Sequence, residues 1–217
     1  MIGEADRADV GDFLTRLMRL DPVALVRLRP VAAAGEIWAM LPFRVLVSRR
    51  LSKAPPIDVT VAGSDLLAEL DRGGGGLTRR DAAWRWPLPS SAGRAVETIP
   101  AADVVRLAAA ASRTLRTAAA EGVAGRVVGE RLVRDALLDH VAIAVTTDDG
   151  ERIDVPQRMV QAVARMGFLG RVTQGDDEIT QSYGDKSVTV RLATGWIGID
   201  CLHGSAWYRP ISPLRLG

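Results

Sequence analysis

Cys201 and His203 stand two residues apart, and they are the one place where this sequence sets a nucleophile beside a base. A thiol and an imidazole do acyl-transfer chemistry only when they touch and a third group orients the base. The segment around them reads as a strand ending in the turn His203-Gly204-Ser205. Residues i and i+2 of a strand share a face, but on a flat strand they stand too far apart for that contact. The pair therefore reads as a packed thiol next to a turn histidine. With a single cysteine the chain forms no internal disulfide and no four-cysteine zinc site, which fits a reducing, cytoplasmic compartment.

Other chemistry is sparse. No Gly-Lys-Ser/Thr phosphate loop and no Gly-x-Ser-x-Gly nucleophile turn occurs. Gly122-Val-Ala-Gly125-Arg-Val-Val-Gly129 is glycine-rich but follows a helical pattern rather than a strand, so it reads as a helix–helix corner. Asp148, Asp149, Glu151 and Asp154 crowd one turn, and Asp176, Asp177 and Glu178 another. Neither set has the spacing of a calcium loop, so both read as solvated turn charges. His140, between a helix and a strand, reads as structural. No catalytic residue, cofactor or metal ligand is assigned.

Charge is the stronger signal. The chain carries net charge +2, yet residues 14–53 alone carry +6, and arginine outnumbers lysine 26 to 2. Arg27 and Arg29 fall on one face of an alternating strand; Arg44 lies in the next, and Arg49 and Arg50 end the hairpin the two strands form. A guanidinium fork suits carboxylates and phosphates, so these five residues are the candidate docking patch for an acidic protein or a nucleic acid. Trp84-Arg85-Trp86, close to Arg79-Arg80, has the interleaving that stacks on single-stranded nucleic acid; the alternative is a loop pinned to the core. Arg158, Gln161 and Arg165 read as the outer face of a helix. Base-edge reading from that face would need a preceding helix, and a hairpin precedes it instead.

The elements that must position these groups show an internal echo. Residues 14–26 (LTRLMRLDPVALV) and 132–144 (LVRDALLDHVAIA) align without gaps, and each is followed by an Ile-Asp-Val, at 57–59 and 153–155. The echo predicts two related halves, each reading helix, hairpin, short strand, helix. The charged residues common to both copies, Arg16, Asp21, Arg134 and Asp139, are the candidate lining of a ligand or active site between the halves.

Hydrophobic spacing fills in the rest. Helices are expected at 9–21, 64–70, 100–121, 126–139 and 156–168. Strands are expected at 23–30, 37–47 (bent at Pro42), 57–61, 141–147 and 151–155, and a C-terminal meander at 187–193, 196–202 and 206–209. Asp148-Asp149-Gly150 is a strong hairpin turn. Trp38, Trp196 and Trp207 fall in strands as core anchors. The sum predicts an α+β fold of antiparallel sheets with packed helices, divided into residues 1–86, a linker at 87–100 and residues 101–217. No apolar run approaches the roughly 18–20 residues that span a bilayer, and the acidic N-terminus has no signal-peptide pattern.

Two resemblances add to this reading. Arg134-Asp-Ala-Leu-Leu-Asp-His140 and Gln157 to Gly170 resemble an uncharacterised actinobacterial protein group, which implies no activity. Ser182 to Val190 is similar to a C-terminal stretch of phage head–tail connector proteins, which would imply a ring-forming assembly component. Three functions stand side by side: an interaction protein docking an acidic partner, a ligand binder or enzyme with a site between the halves, and a structural adaptor that self-associates.

Overall fold

The computed structural model describes residues 2–72, 76–90, 93–121, 130–170, 182–183 and 185–210, the side chains of 118–121 and 130–134 excepted. Val26 and Leu28 alternate with Leu25, Arg27 and Arg29, the pattern of a strand with one buried face. They lie in β1 (Leu25–Val31), where Val26 and Leu28 are fully buried. β1 follows helix α1 (Arg7–Leu20) and continues as a meander through β2 (Ala34–Met40) and β3 (Leu46–Leu51). The chain then returns along the free side of β1 as β4 (Val59–Ala62) and enters α2 (Gly63–Arg72).

The second half begins with β5 (Arg94–Pro100), α3 (Ala101–Glu121) and α4 (Glu130–Asp139). A separate two-stranded hairpin follows, β6 (Val141–Thr146) with β7 (Arg152–Pro156), then α5 (Gln157–Arg165). The meander β8 (Ser187–Ala193), β9 (Trp196–Cys201), β10 (Gly204–Tyr208) comes last. The two meanders meet at β3 and β10, giving one antiparallel sheet of eight strands in the order β4-β1-β2-β3-β10-β9-β8-β5. The fold is α+β, with a large antiparallel sheet and packed helices. Each half has a helix leading into a three-stranded meander: α1 into β1–β3, and α5 into β8–β10.

Helices cover one face of this sheet. Val10, Phe13, Leu14 and Leu17 of α1, Val104 and Val105 of α3, and Met159, Val160 and Val163 of α5 are all buried. They belong to a single apolar cluster that also holds Val26, Leu28, Ile37, Val47, Val190 and Ile199 of the sheet. The halves therefore share one core, and Phe13 stacks on Phe168 across it, with ring centroids 6.3 Å apart. Among the described residues, no helix is long and apolar enough to cross a membrane.

The opposite face of the sheet carries a second cluster, Trp38, Leu46, Trp196 and Trp207. Irregular chain around residues 77–90 lies over it, with Trp84, Trp86 and Leu88 packed down. Trp207 lies flat across β9 because its neighbour there has no side chain: a Cβ on Gly198 would stand 2.7 Å from the ring.

Three expectations need correction. Residues 37–47 are not one bent strand. The chain turns back at Pro42, and Leu46–Leu51 is a strand in its own right, so the arginine-rich segment is a three-stranded meander. Residues 94–100, expected within a linker, form edge strand β5, paired with β8. The two copies of the echo also differ in setting. α1–β1 and α4–β6 both occur, and both strands pair antiparallel with a later strand that enters a helix. However, β1 lies in the large sheet and β6 in the small one. Moreover, Ile57-Asp58 precedes β4, whereas Ile153-Asp154-Val155 lies inside β7.

Two glycines answer an added Cβ in opposite ways, Gly204 also holding a φ of +155° that disfavours a side chain. A Cβ on Gly204, at the β3–β10 seam, would meet the Ser48 carbonyl oxygen at 2.6 Å and the Phe168 ring at 2.7 Å. Gly204→Ala should cost about 1–3 kcal/mol through forced displacement of a packed seam. Gly11, inside α1, has nothing within 4 Å of such an atom. Gly11→Ala should add about 0.5–1 kcal/mol, since alanine suits a helix better. Urea denaturation of both variants checks the opposite signs.

Candidate functional site

Leu41-Pro42-Phe43-Arg44 is a tight turn: the Arg44 N–H donates to the Leu41 carbonyl at 3.0 Å, and the Leu41 N–H to the Val45 carbonyl at 2.9 Å. Proline suits the second position of such a turn because its ring fixes φ, and it has no N–H to place. The fourth position is left-handed, and Arg44 takes it with φ +64°. Glycine or asparagine ordinarily fills such a position, because a Cβ there crowds the backbone. Arginine sits here at a conformational cost, exposed like Pro42, while Leu41 is buried and Phe43 partly so.

This turn separates two clefts on opposite sides of the sheet. On the outer side, a groove of about 570 Å³ runs along Val23, Leu25, Met40, Trp86 and Trp196, with Arg44 and Arg209 on its rim and Asp21 at its end. Its walls come from both halves. Val23 is 84% exposed, an unusual degree for an apolar side chain beside a groove.

On the helix side, a cleft of about 880 Å³ lies between the same turn and helices α3, α4 and α5. Arg44, Arg116 and Arg165 stand around it, and Arg158 lies within it. Arg158 is buried. It donates to the Phe43 carbonyl at 2.8 Å, pairs with Asp139, and stacks over Tyr208 at 5.2 Å from the ring centre. A buried guanidinium needs such partners to offset its lost hydration.

Residues 88–213 match the model of a family described as a domain of unknown function, DUF8185. The chain belongs to the DUF8185 family. Residues 1–87 match a second model, also described as a domain of unknown function, DUF8010. No curated protein matches. Among solved structures, the DUF8185 chain is similar to the DNA polymerase III subunit beta from Pseudomonas aeruginosa, at 11% identity and a TM-score of 0.55, covering 95% of this chain and 64% of that one. A putative DNA polymerase III beta subunit from Eubacterium rectale is similar at 7% identity and a TM-score of 0.53, over 95% and 63% of the two chains. The beta subunit from Thermotoga maritima is similar at 10% identity and a TM-score of 0.51, over the same shares. At these identities the likeness is one of fold, and the DUF8185 chain spans less than two thirds of their length.

The five arginines of the candidate patch do not share one face of this DUF8185 protein. Arg27 and Arg29 lie on the outer face, and both pair with Asp58, Arg27 at 2.7 Å. The Asp58 carboxylate raises the Arg27 pKa. Arg49 points to the helix side and pairs with Asp9 of α1. Arg44 and Arg50 are exposed, with no carboxylate partner among the described residues. Of the residues expected between the halves, Asp139 lines the helix-side cleft and Asp21 the outer groove. Arg16 lies against Gly167, away from both, and the Arg134 side chain falls outside the described residues.

Sequence reasoning placed Arg158 on a solvent face; the structure buries it, together with Gln157, because α4 and the Pro42 turn pack over the start of α5. Trp84 and Trp86 pin their segment to the sheet in a T-shaped pair 5.1 Å apart, and Arg27 lies over Trp84. Among the described residues, no group of three metal-ligating side chains occurs. Asp176–Glu178 and Gly122–Gly129 lie outside the described residues.

Burial, with Asp200 adding like charge, pushes the Cys201 thiol far above its ordinary range. Thiolate is the reactive form, so a raised pKa slows alkylation. Iodoacetamide at pH 8 should modify native Cys201 at least about tenfold more slowly than the urea-unfolded chain. Equal rates would show an activated thiol.

Proposed function

We propose that this chain is a non-enzymatic interaction protein that docks an acidic protein segment in the outer groove beside the Pro42–Arg44 turn. The observation that carries this reading is Arg44, held in a left-handed conformation at the rim of an apolar bed, with Arg209 from the other half on the same rim. An apolar floor with a cationic rim fits a segment that buries leucine or phenylalanine side chains and presents carboxylates to the guanidinium groups. Arg50 extends the basic character of the meander, while the carboxylates beside Arg27, Arg29 and Arg49 reduce theirs. The similar solved structures are described as subunits of a DNA polymerase, a multi-component assembly, which supports an interaction role.

Arg44→Gly separates binding from folding. Glycine suits the left-handed position, so stability should stay within about 1 kcal/mol of the parent chain. The probe is a fluorescein-labelled peptide alternating glutamate with leucine and phenylalanine, read by anisotropy. Arg44→Gly should weaken its binding about fivefold or more, the scale of one charge-assisted contact. Binding that Arg44→Gly leaves unchanged would sink the reading. Labelled duplex DNA serves as the competing probe. Tighter binding to DNA than to the peptide, falling steeply with added salt, would move the partner to nucleic acid.

A further inference from the structure

The helix-side cleft holds two donors that the fold leaves unused. Gln157 is 4% exposed and Arg158 9% exposed, and both line the cleft. Among the described residues, neither the Gln157 amide nitrogen nor the Arg158 Nε has a hydrogen-bond partner. Buried polar groups are almost always paired, so two orphans on adjacent residues need an explanation. Each terminal guanidinium nitrogen makes one hydrogen bond, one to the Phe43 carbonyl and the other to Asp139. The Arg158 Nε–H and the Gln157 amide NH2 therefore remain without a partner among the described residues. They sit on the first two residues of α5, where the helix dipole favours negative charge.

The surroundings narrow the chemistry. Arg44, Arg116 and Arg165 stand around the opening without carboxylate partners among the described residues, so cations outnumber the two carboxylates that also line it, Asp135 and the Arg158-paired Asp139. Leu20, Leu115 and Leu138 supply apolar wall. Two N–H donors, a cationic rim and leucine walls ask for a ligand with two acceptor oxygens, a negative charge and a hydrocarbon body. We propose that this cleft binds a small monocarboxylic acid with an apolar chain or ring, its carboxylate oxygens received by Gln157 and Arg158. The site uses residues from both halves and lies on the opposite side of the sheet from the peptide groove.

The test is calorimetric titration of the full chain with octanoate, with octanamide and inorganic phosphate as comparisons. Octanoate should bind, and octanamide at least about tenfold more weakly, since it carries no charge for the rim and the dipole. Gln157→Met removes one donor at similar volume; without an unpaired amide to bury, the variant should be at least as stable as the parent. It should bind octanoate about tenfold more weakly while binding the acidic peptide unchanged. Arg165→Ala, at the exposed rim, should weaken octanoate severalfold at low salt and little at high salt. Three results would each overturn the proposal: no octanoate binding, equal affinity in Gln157→Met, or phosphate binding as tightly as octanoate.

Discussion

Three residue pairs, Leu46–Ser48 of β3 against Ser205–Trp207 of β10, join two meanders into one sheet. The Ser48 and Ser205 hydroxyls add a hydrogen bond of 2.8 Å at the same place. Everything larger than a half depends on this seam. It aligns the helix-side faces of both meanders so that one core runs through them, and it aligns the outer faces so that the tryptophans form one cluster. Gly204 allows the close approach, since any side chain there would strike the neighbouring strand. Both clefts draw walls from each half, so both exist only because the seam holds.

The clefts also show how a single turn serves two faces. A three-residue connection with a left-handed final position reverses the chain within a few ångströms. Arg44 at that position borders the groove on one side and the cleft on the other. The Phe43 carbonyl, one residue earlier, accepts the buried Arg158 guanidinium. Beside the seam and the Phe13–Phe168 stack, this backbone oxygen is a further tie between the halves, joining α5 to the turn.

Much of the fold was legible in the residues. Strict alternation marked β1, and helical spacing marked α1, α3 and α5, because one-sided burial imposes those periods. Asp148-Asp149-Gly150 gave the β6–β7 hairpin because its geometry is local. What stayed hidden depends on partners distant in sequence. Pro42 reads alike as a bulge or as a turn, and only the pairing of β3 with β2 and β10 decides. Arg94–Pro100 lacks clean alternation because an edge strand is exposed on most positions. Gln157 and Arg158 look like a solvent face because nothing local says that α4 will cover them. The site was legible in part: Arg44, Asp21 and Asp139 were singled out, but their division between two clefts is a tertiary fact.

The ends of the sheet are treated unequally. At β4, the chain at 79–81 closes the edge: Arg80 N–H donates to the Thr60 carbonyl, and the Asp81 carboxylate accepts from the Thr60 N–H at 2.7 Å. At the other end, no described strand lies beyond β5. Among the described residues, the sheet is stoppered at β4 and carries no further strand beyond β5, so edge pairing could extend it in one direction only. Two copies joined edge to edge through β5 would close around a two-fold and present stoppers at both outer ends. Such a dimer would have no free sheet edge to offer a third copy, so edge pairing would stop at two.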